Sequence, residues 1–205
     1  SLLLQPLPYD QVAPKGFLLV QKLAVLVLGR SDYVLRLFPF LSSVVALVGF
    51  AVLARRALGT AQAVIATTLF ATAAPLVAFA GVVKQYSTDV AVAVLLGLLI
   101  EGLTARPVTA RSAWRAGVVG AVLVWFSQPA VLMLAALGCP VLVWLRALPA
   151  AESSWRRTVP ILALWGVSAL SVTAAGFASM SPSTQEYMHR FWVAGFPPVP
   201  VSRVV

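Results

Sequence analysis

The stretch Tyr33-Val-Leu-Arg-Leu-Phe-Pro-Phe-Leu-Ser-Ser-Val-Val-Ala-Leu-Val-Gly-Phe-Ala-Val-Leu53 decides the fold. It carries one charge, Arg36, in an apolar run that matches the roughly 20 residues a helix needs to cross the hydrocarbon core of a bilayer. Ala61 to Val83 and Val159 to Met180 read the same way. These runs are continuous, whereas the strands of a membrane barrel alternate apolar and polar residues over about 10 positions. A helix also satisfies its own backbone polar groups inside lipid. The expectation is an all-α, polytopic transmembrane helical bundle.

Composition excludes a soluble domain. Of 205 residues, 60% are hydrophobic and 10% charged, where soluble domains carry roughly 25% charge, and the mean hydropathy is +0.94. The net charge of +9 comes from basic residues scattered in short groups between apolar runs, which fits membrane topology and not a nucleic-acid-binding face. Cys139 stands alone in an apolar run and His189 is the single histidine. Neither a disulfide framework nor a cysteine- or histidine-rich metal site is therefore expected, although carboxylates leave room for an oxygen-ligated divalent ion. Ser1 opens the chain in polar, loop-like sequence, so the segment that targets it to the membrane is expected upstream.

Residues 1–32 are read as an external loop. Gln5-Pro-Leu-Pro-Tyr-Asp-Gln-Val-Ala-Pro14 is broken by prolines. Phe17 to Gly29 is helical in pattern, but its 13 residues rise only about 20 Å, so it is expected to lie in the membrane interface. Residues 33–180 form the transmembrane region, about six spans. Tyr33–Leu53 and Ala61–Val83 make a hairpin, and Gln85–Leu103 follows. Ala116–Leu145 is one kinked helix or two helices broken at Ser127-Gln128-Pro129. Breaking it places Arg55, Arg56, Arg106, Arg111, Arg115, Arg146, Arg156 and Arg157 on one face, which short cytoplasmic loops favour. Two helices and a chain that starts outside are expected, with residues 181–205 an external segment leading onward.

That topology leaves Asp10, Lys15, Asp32, Arg36, Lys84, Asp89, Glu186, His189 and Arg190 on the external side. Lys84-Gln-Tyr-Ser-Thr-Asp89 gathers opposite charges, an amide, a phenol and two hydroxyls at a span end, with Gln85 and Asp89 on one helix face. Two readings stay open: a helix start capped by Ser87 or Thr88, with Asp89 near the positive dipole end, or a functional site. Tyr9, Asp10, Gln11 and Lys15 form the second polar group. Lysines here would suit a phosphate, and carboxylates would suit sugar hydroxyls or proton transfer. Tyr187, Phe191, Trp192 and Phe196 fit an interfacial aromatic belt. Glu101, near the cytoplasmic end of its span, has Arg106 within reach as a pairing partner and is not counted among the site residues.

Three stretches, Gln5 to Phe17, Lys84 to Asp89 and Tyr187-Met-His-Arg-Phe-Trp-Val-Ala-Gly-Phe-Pro-Pro198, resemble in order and spacing the GT-C glycosyltransferases, in particular bacterial relatives of protein O-mannosyltransferases and the lipid A aminoarabinose transferase. Gly29 and Ser31-Asp-Tyr-Val-Leu-Arg36-Leu-Phe-Pro39 extend the likeness. The resemblance implies a multi-pass enzyme of the cytoplasmic membrane with its site on the external side. Such an enzyme moves a sugar from a polyprenyl-phosphate carrier to a glycan, lipid or protein acceptor, with no cofactor beyond the lipid-linked co-substrate. It further implies that Phe17–Gly29 is an interfacial helix and that the principal catalytic acid lies upstream of Ser1. Asp10 and Asp89 would support it, and Tyr9, Gln11, Lys15, Lys84, Gln85 and Tyr86 would bind substrate. Lys15 follows Pro14, where the aminoarabinose transferases place a lysine before the proline. A lipid-linked-substrate transporter or flippase and a non-catalytic membrane subunit are the alternatives. A transporter would carry corresponding broken helices or inverted halves, and none is apparent in the sequence.

Overall fold

The computed structural model describes residues 12–105, 109–136, 138 and 155–193, and all regular structure among them is helical. The order is α1 (Lys15–Leu28), α2 (Asp32–Ala57), α3 (Thr60–Thr72), α4 (Ala74–Ala80), α5 (Tyr86–Thr104), α6 (Ala110–Leu123), a 3-10 turn (Val124–Phe126), a helical segment at 130–136 (α7), α8 (Trp155–Ala178) and α9 (Pro182–Val193). Among the described residues α2, α5 and the Val159–Ala178 part of α8 are long and apolar enough to cross a membrane, and the bent pair α3–α4 makes a fourth if it counts as one crossing. Large apolar side chains cover the outside: Val48 is 59% exposed, Leu69 66% and Leu170 73%. Lipid, unlike water, tolerates such a surface. The expected count of about six falls partly outside the described residues, because Ala116–Leu145 runs into them.

Local sequence explains the element ends. α1 stops at Gly29, whose φ of +85° lies in the left-handed region that glycine enters without strain. The Ser31 hydroxyl accepts from the Val34 amide to start α2, with Asp32 in its first turn and Arg55 and Arg56 in its last, each complementing the helix dipole. A reciprocal capping pair, Thr109 and Ser112, starts α6. The single helix expected over Ala61–Val83 is instead two, α3 and α4, bent by 55° at Ala73. Pro75 supplies the reason, because it lacks the amide that would continue the ladder across Ala73.

Two pairs of helices pack side by side in the same direction. In the first, Ser42 meets Thr88 at 3.3 Å, and lower down Arg56 meets Glu101 at 2.6 Å, partners 46 and 45 residues apart along the chain. Between them Gly49 lies under Val94 and Gly97 under Leu53. The small buried residues Ser42, Ala46 and Gly49 let α2 approach α5 closely. Phe50 stacks on Phe70 at 4.3 Å, which fastens α3 to α2 as the expected hairpin. In the second pair, α6 and α8, the Trp165 indole donates to the Ala116 carbonyl at 3.1 Å and the Ser168 hydroxyl to the Ala121 carbonyl at 2.6 Å. A Cβ on Gly120 would sit 2.2 Å from Trp165 Nε1, so only glycine fits there. Val92 and Leu96 of α5, Ala113 and Ala116 of α6, Leu134 of α7 and Ile161 and Trp165 of α8 form the core joining the two pairs.

These directions sort the polar residues between two ends of the bundle. Arg55 and Arg56 close α2, Arg111 and Arg115 open α6, and the backbone positions of Arg156 and Arg157 open α8, so all six share one end. Arg106 and Arg146 lie outside the described residues. Glu101 pairs with Arg56, because parallel packing brings the last turns of α2 and α5 together; the pairing considered with Arg106 lies outside the described residues.

Candidate functional site

The opposite end is organised by the interruption after α6. The helix tightens into the 3-10 turn, and Ser127 then turns extended, with φ −148° and ψ 120°. The interruption expected at Ser127-Gln128-Pro129 is therefore present, with Pro129 supplying no amide to continue α6. Trp125 ties the turn to α8 by donating its indole N–H to Ser168 Oγ at 3.0 Å. Ser127 is 1% exposed, and its hydroxyl is hydrogen-bonded to the Asp89 carboxylate in the first turn of α5. The Asp89 Oδ1 is buried with no partner among the described residues.

α1 joins this turn through a close backbone approach. A Cβ on Gly16 would lie 2.7 Å from the Trp125 carbonyl oxygen, so glycine alone lets the start of α1 rest on the turn. Phe17, Phe38 and Phe126 form a chain of rings, 5.7 Å and then 6.4 Å between centroids, that binds α1 and α2 to the same place. The Gln21 amide donates to the Leu35 carbonyl at 2.9 Å. Lys15 is thereby held beside the turn, and partial burial lowers its ammonium below the ordinary lysine value.

Two clefts open at this point and share Lys15 and Ser179. One, about 290 Å³, has Gln128, Thr173, Ser179 and Thr184 among its walls. The other, about 580 Å³, is walled mainly by Leu19, Val122, Trp125, Phe126, Ala175 and Ala178. Both clefts are walled mainly by apolar side chains, the first carrying more hydroxyl and amide groups than the second, and they meet at one lysine.

Of the residues expected to form a site, Lys15 and Asp89 are brought to the same turn. Lys84, Gln85 and Tyr86 stand just before and at the start of α5 and line neither cleft; Tyr86 packs on Phe79 at 4.6 Å. Tyr9, Asp10 and Gln11 lie outside the described residues. Capping of α5 by Ser87 or Thr88 is corrected: Ser87 donates to the Phe79 carbonyl at 2.9 Å, Thr88 pairs with Ser42, and Gln85 at the N-cap makes no side-chain cap bond. These hydroxyls join helices instead of ending one. Ser127, Gln128 and Thr184 were not singled out by sequence. The Ser-Gln-Pro interruption was the one available signal for the first two. Among the described residues no three His, Cys, Asp or Glu side chains gather as metal ligands.

The fold and its exposed apolar belt define an all-helical protein of membrane type. No family model matches the chain, and neither a curated protein nor a solved structure does.

Proposed function

We propose that the chain belongs to a membrane glycosyltransferase that takes a sugar from a polyprenyl-phosphate-linked donor at the external face of the cytoplasmic membrane. The observation that carries this reading is the meeting at Lys15 of two clefts, one almost wholly apolar and the other bearing Gln128, Thr173, Ser179 and Thr184 among its apolar walls. A lipid-linked sugar has three parts in order: a polar sugar, an anionic phosphate and a long apolar tail. The groove wall of Leu19, Val122 and Phe126 suits the tail, the Lys15 ammonium the phosphate as a point charge, and the hydroxyl- and amide-bearing cleft the sugar.

In the transfer, an acceptor hydroxyl oxygen bonds to the anomeric carbon while the bond from that carbon to the phosphate oxygen breaks. The bonding pair leaves with the phosphate, and the hydroxyl proton passes to a carboxylate. Lys15 offsets charge on the departing phosphate. Asp89 holds the turn against which Lys15 rests. Its place behind Ser127 makes it a positioning residue.

The test measures transfer of labelled sugar from polyprenyl phosphate in membranes containing the protein together with the upstream catalytic acid that the resemblance implies, since residues 1–205 alone are expected to be inactive. Lys15→Met should raise the apparent KM for donor about tenfold, the loss of roughly 1.4 kcal/mol, with a smaller effect on kcat. The partial burial of Lys15 adds a pH signature. The ammonium is lost at a pH below the ordinary lysine range, so donor affinity should fall on alkaline titration earlier than an exposed lysine would allow. No transfer by the wild-type protein, or transfer indifferent to Lys15→Met, would remove the reading.

A further inference from the structure

We infer that α9 is a monotopic helix seated in the headgroup region of the bilayer that α8 crosses, with a lipid surface as its partner. The inference rests on the membrane reading of α8 and is independent of the transferase reading. Thr184, Tyr187, Met188 and Phe191 recur at the i, i+3, i+4, i+7 spacing of one helix face. Thr184 is buried at the lip of the first cleft and anchors the first turn to the bundle. Beyond it Met188 is half-buried while Tyr187 is 50% exposed and Phe191 60%, with the two rings 6.1 Å apart. Phe191 continues edge-on to Trp192 at 5.3 Å. The other face carries Gln185, Glu186, His189 and Arg190, with Glu186 and Arg190 paired along the helix.

Position selects lipid as the occupant. α8 ends at Ala178 and α9 begins at Pro182, and three linking residues reach at most about 10 Å. The start of α9 is therefore tied to the depth at which a span ends. The apolar surface of α8, with Leu170 and Phe177 exposed, leads directly to it. Aromatic side chains favour that depth, and a short helix with one aromatic and one charged face sinks about 5–10 Å into the boundary of headgroups and acyl chains. Arg190 and His189 on the outward face suit anionic headgroups.

The experiment places single cysteines at Tyr187, Phe191, Gln185 and His189 in a Cys139→Ala background. Each carries an environment-sensitive fluorophore, and the protein is reconstituted in phosphatidylcholine vesicles containing anionic lipid. Labels at Tyr187 and Phe191 should be quenched severalfold more by a nitroxide on the lipid headgroup or upper acyl chain than by aqueous iodide, and labels at Gln185 and His189 should show the reverse. A second measurement needs no label: Tyr187→Ser with Phe191→Ser should free α9 from the surface and speed tryptic cleavage after Arg190 severalfold. Equal iodide quenching at all four positions would overturn the inference. So would labels at Tyr187 and Phe191 shielded from both quenchers, which would mean that protein covers this face, or cleavage unchanged by the double substitution.

Discussion

The two ends of the bundle use charge in opposite ways. At one end Arg55, Arg56, Arg111 and Arg115 are exposed, and the ion pair there, Arg56 with Glu101, is about half open to its surroundings on the arginine side. At the other, Asp89 is partly buried and bound to the fully buried Ser127, while Lys15 is partly buried against a turn that interrupts a helix. Density of charge and chemical opportunity therefore separate. Many exposed arginines do what short loops of one sign do at a membrane. A few enclosed polar groups create an environment in which a partly buried lysine, Lys15, meets space for a ligand.

The sharpest way to break this contrast is sidedness, which is all-or-none. In a Cys139→Ala background, Lys84→Cys and Ser183→Cys should react with an impermeant thiol reagent added to intact cells, and Thr60→Cys should not. Ser87 is a poor probe because it is buried and bonded to Phe79. Labelling of Thr60→Cys alone would exchange the two ends. The next effect concerns the column joining them. Gly120→Ala drives a methyl into Trp165 Nε1, and overpacking costs about 1–3 kcal/mol, to which loss of the Trp165–Ala116 hydrogen bond adds about 1. The Tm in detergent should fall by several degrees. An unchanged Tm would mean that α6 and α8 are not in contact as described.

A smaller effect separates positioning from folding at Asp89. Asp89→Asn preserves size, and if the charge orders the Ser127 turn for transfer, turnover per folded molecule should drop tenfold or more, about 1.4 kcal/mol of transition-state stabilisation. Ser127→Ala should move turnover the same way. Loss of Tm with unchanged turnover in both variants would leave Asp89 a purely structural partner. The smallest effect belongs to the arginine end. Arg56→Ala should cost at most about 1 kcal/mol, because a largely exposed pair is worth little. A larger loss there would erase the distinction between the ends.

Much of the fold was legible because lipid imposes a simple demand. Runs near 20 residues read as helices, and Pro129 marked where one is interrupted, whereas the Gly29 stop and the Ser31 cap became visible only in the structure. The grouping of arginines anticipated which helix ends lie together, since one alternating path satisfies it. The bend at Ala73 was missed because apolar content gives no sign of direction, although Pro75 held the cause. At the candidate site the sequence offered Lys15 and Asp89 but ranked Lys84, Gln85 and Tyr86 beside them, because proximity along the chain stood in for proximity in space.

By itself, then, the sequence determined the class of protein, the long apolar helices and the grouping of arginines at one end, which follow from local hydrophobicity, chain punctuation and charge. Tertiary structure alone decided that Ser127, 38 positions from Asp89 by residue number, is its partner, that Ser87 and Thr88 bridge helices instead of capping one, and that Glu101 answers Arg56. The physical reason is common to all three. A hydroxyl or carboxylate finds its partner through the crossing and direction of packed helices, and that geometry is set by where small residues such as Gly49, Gly97 and Gly120 let backbones approach.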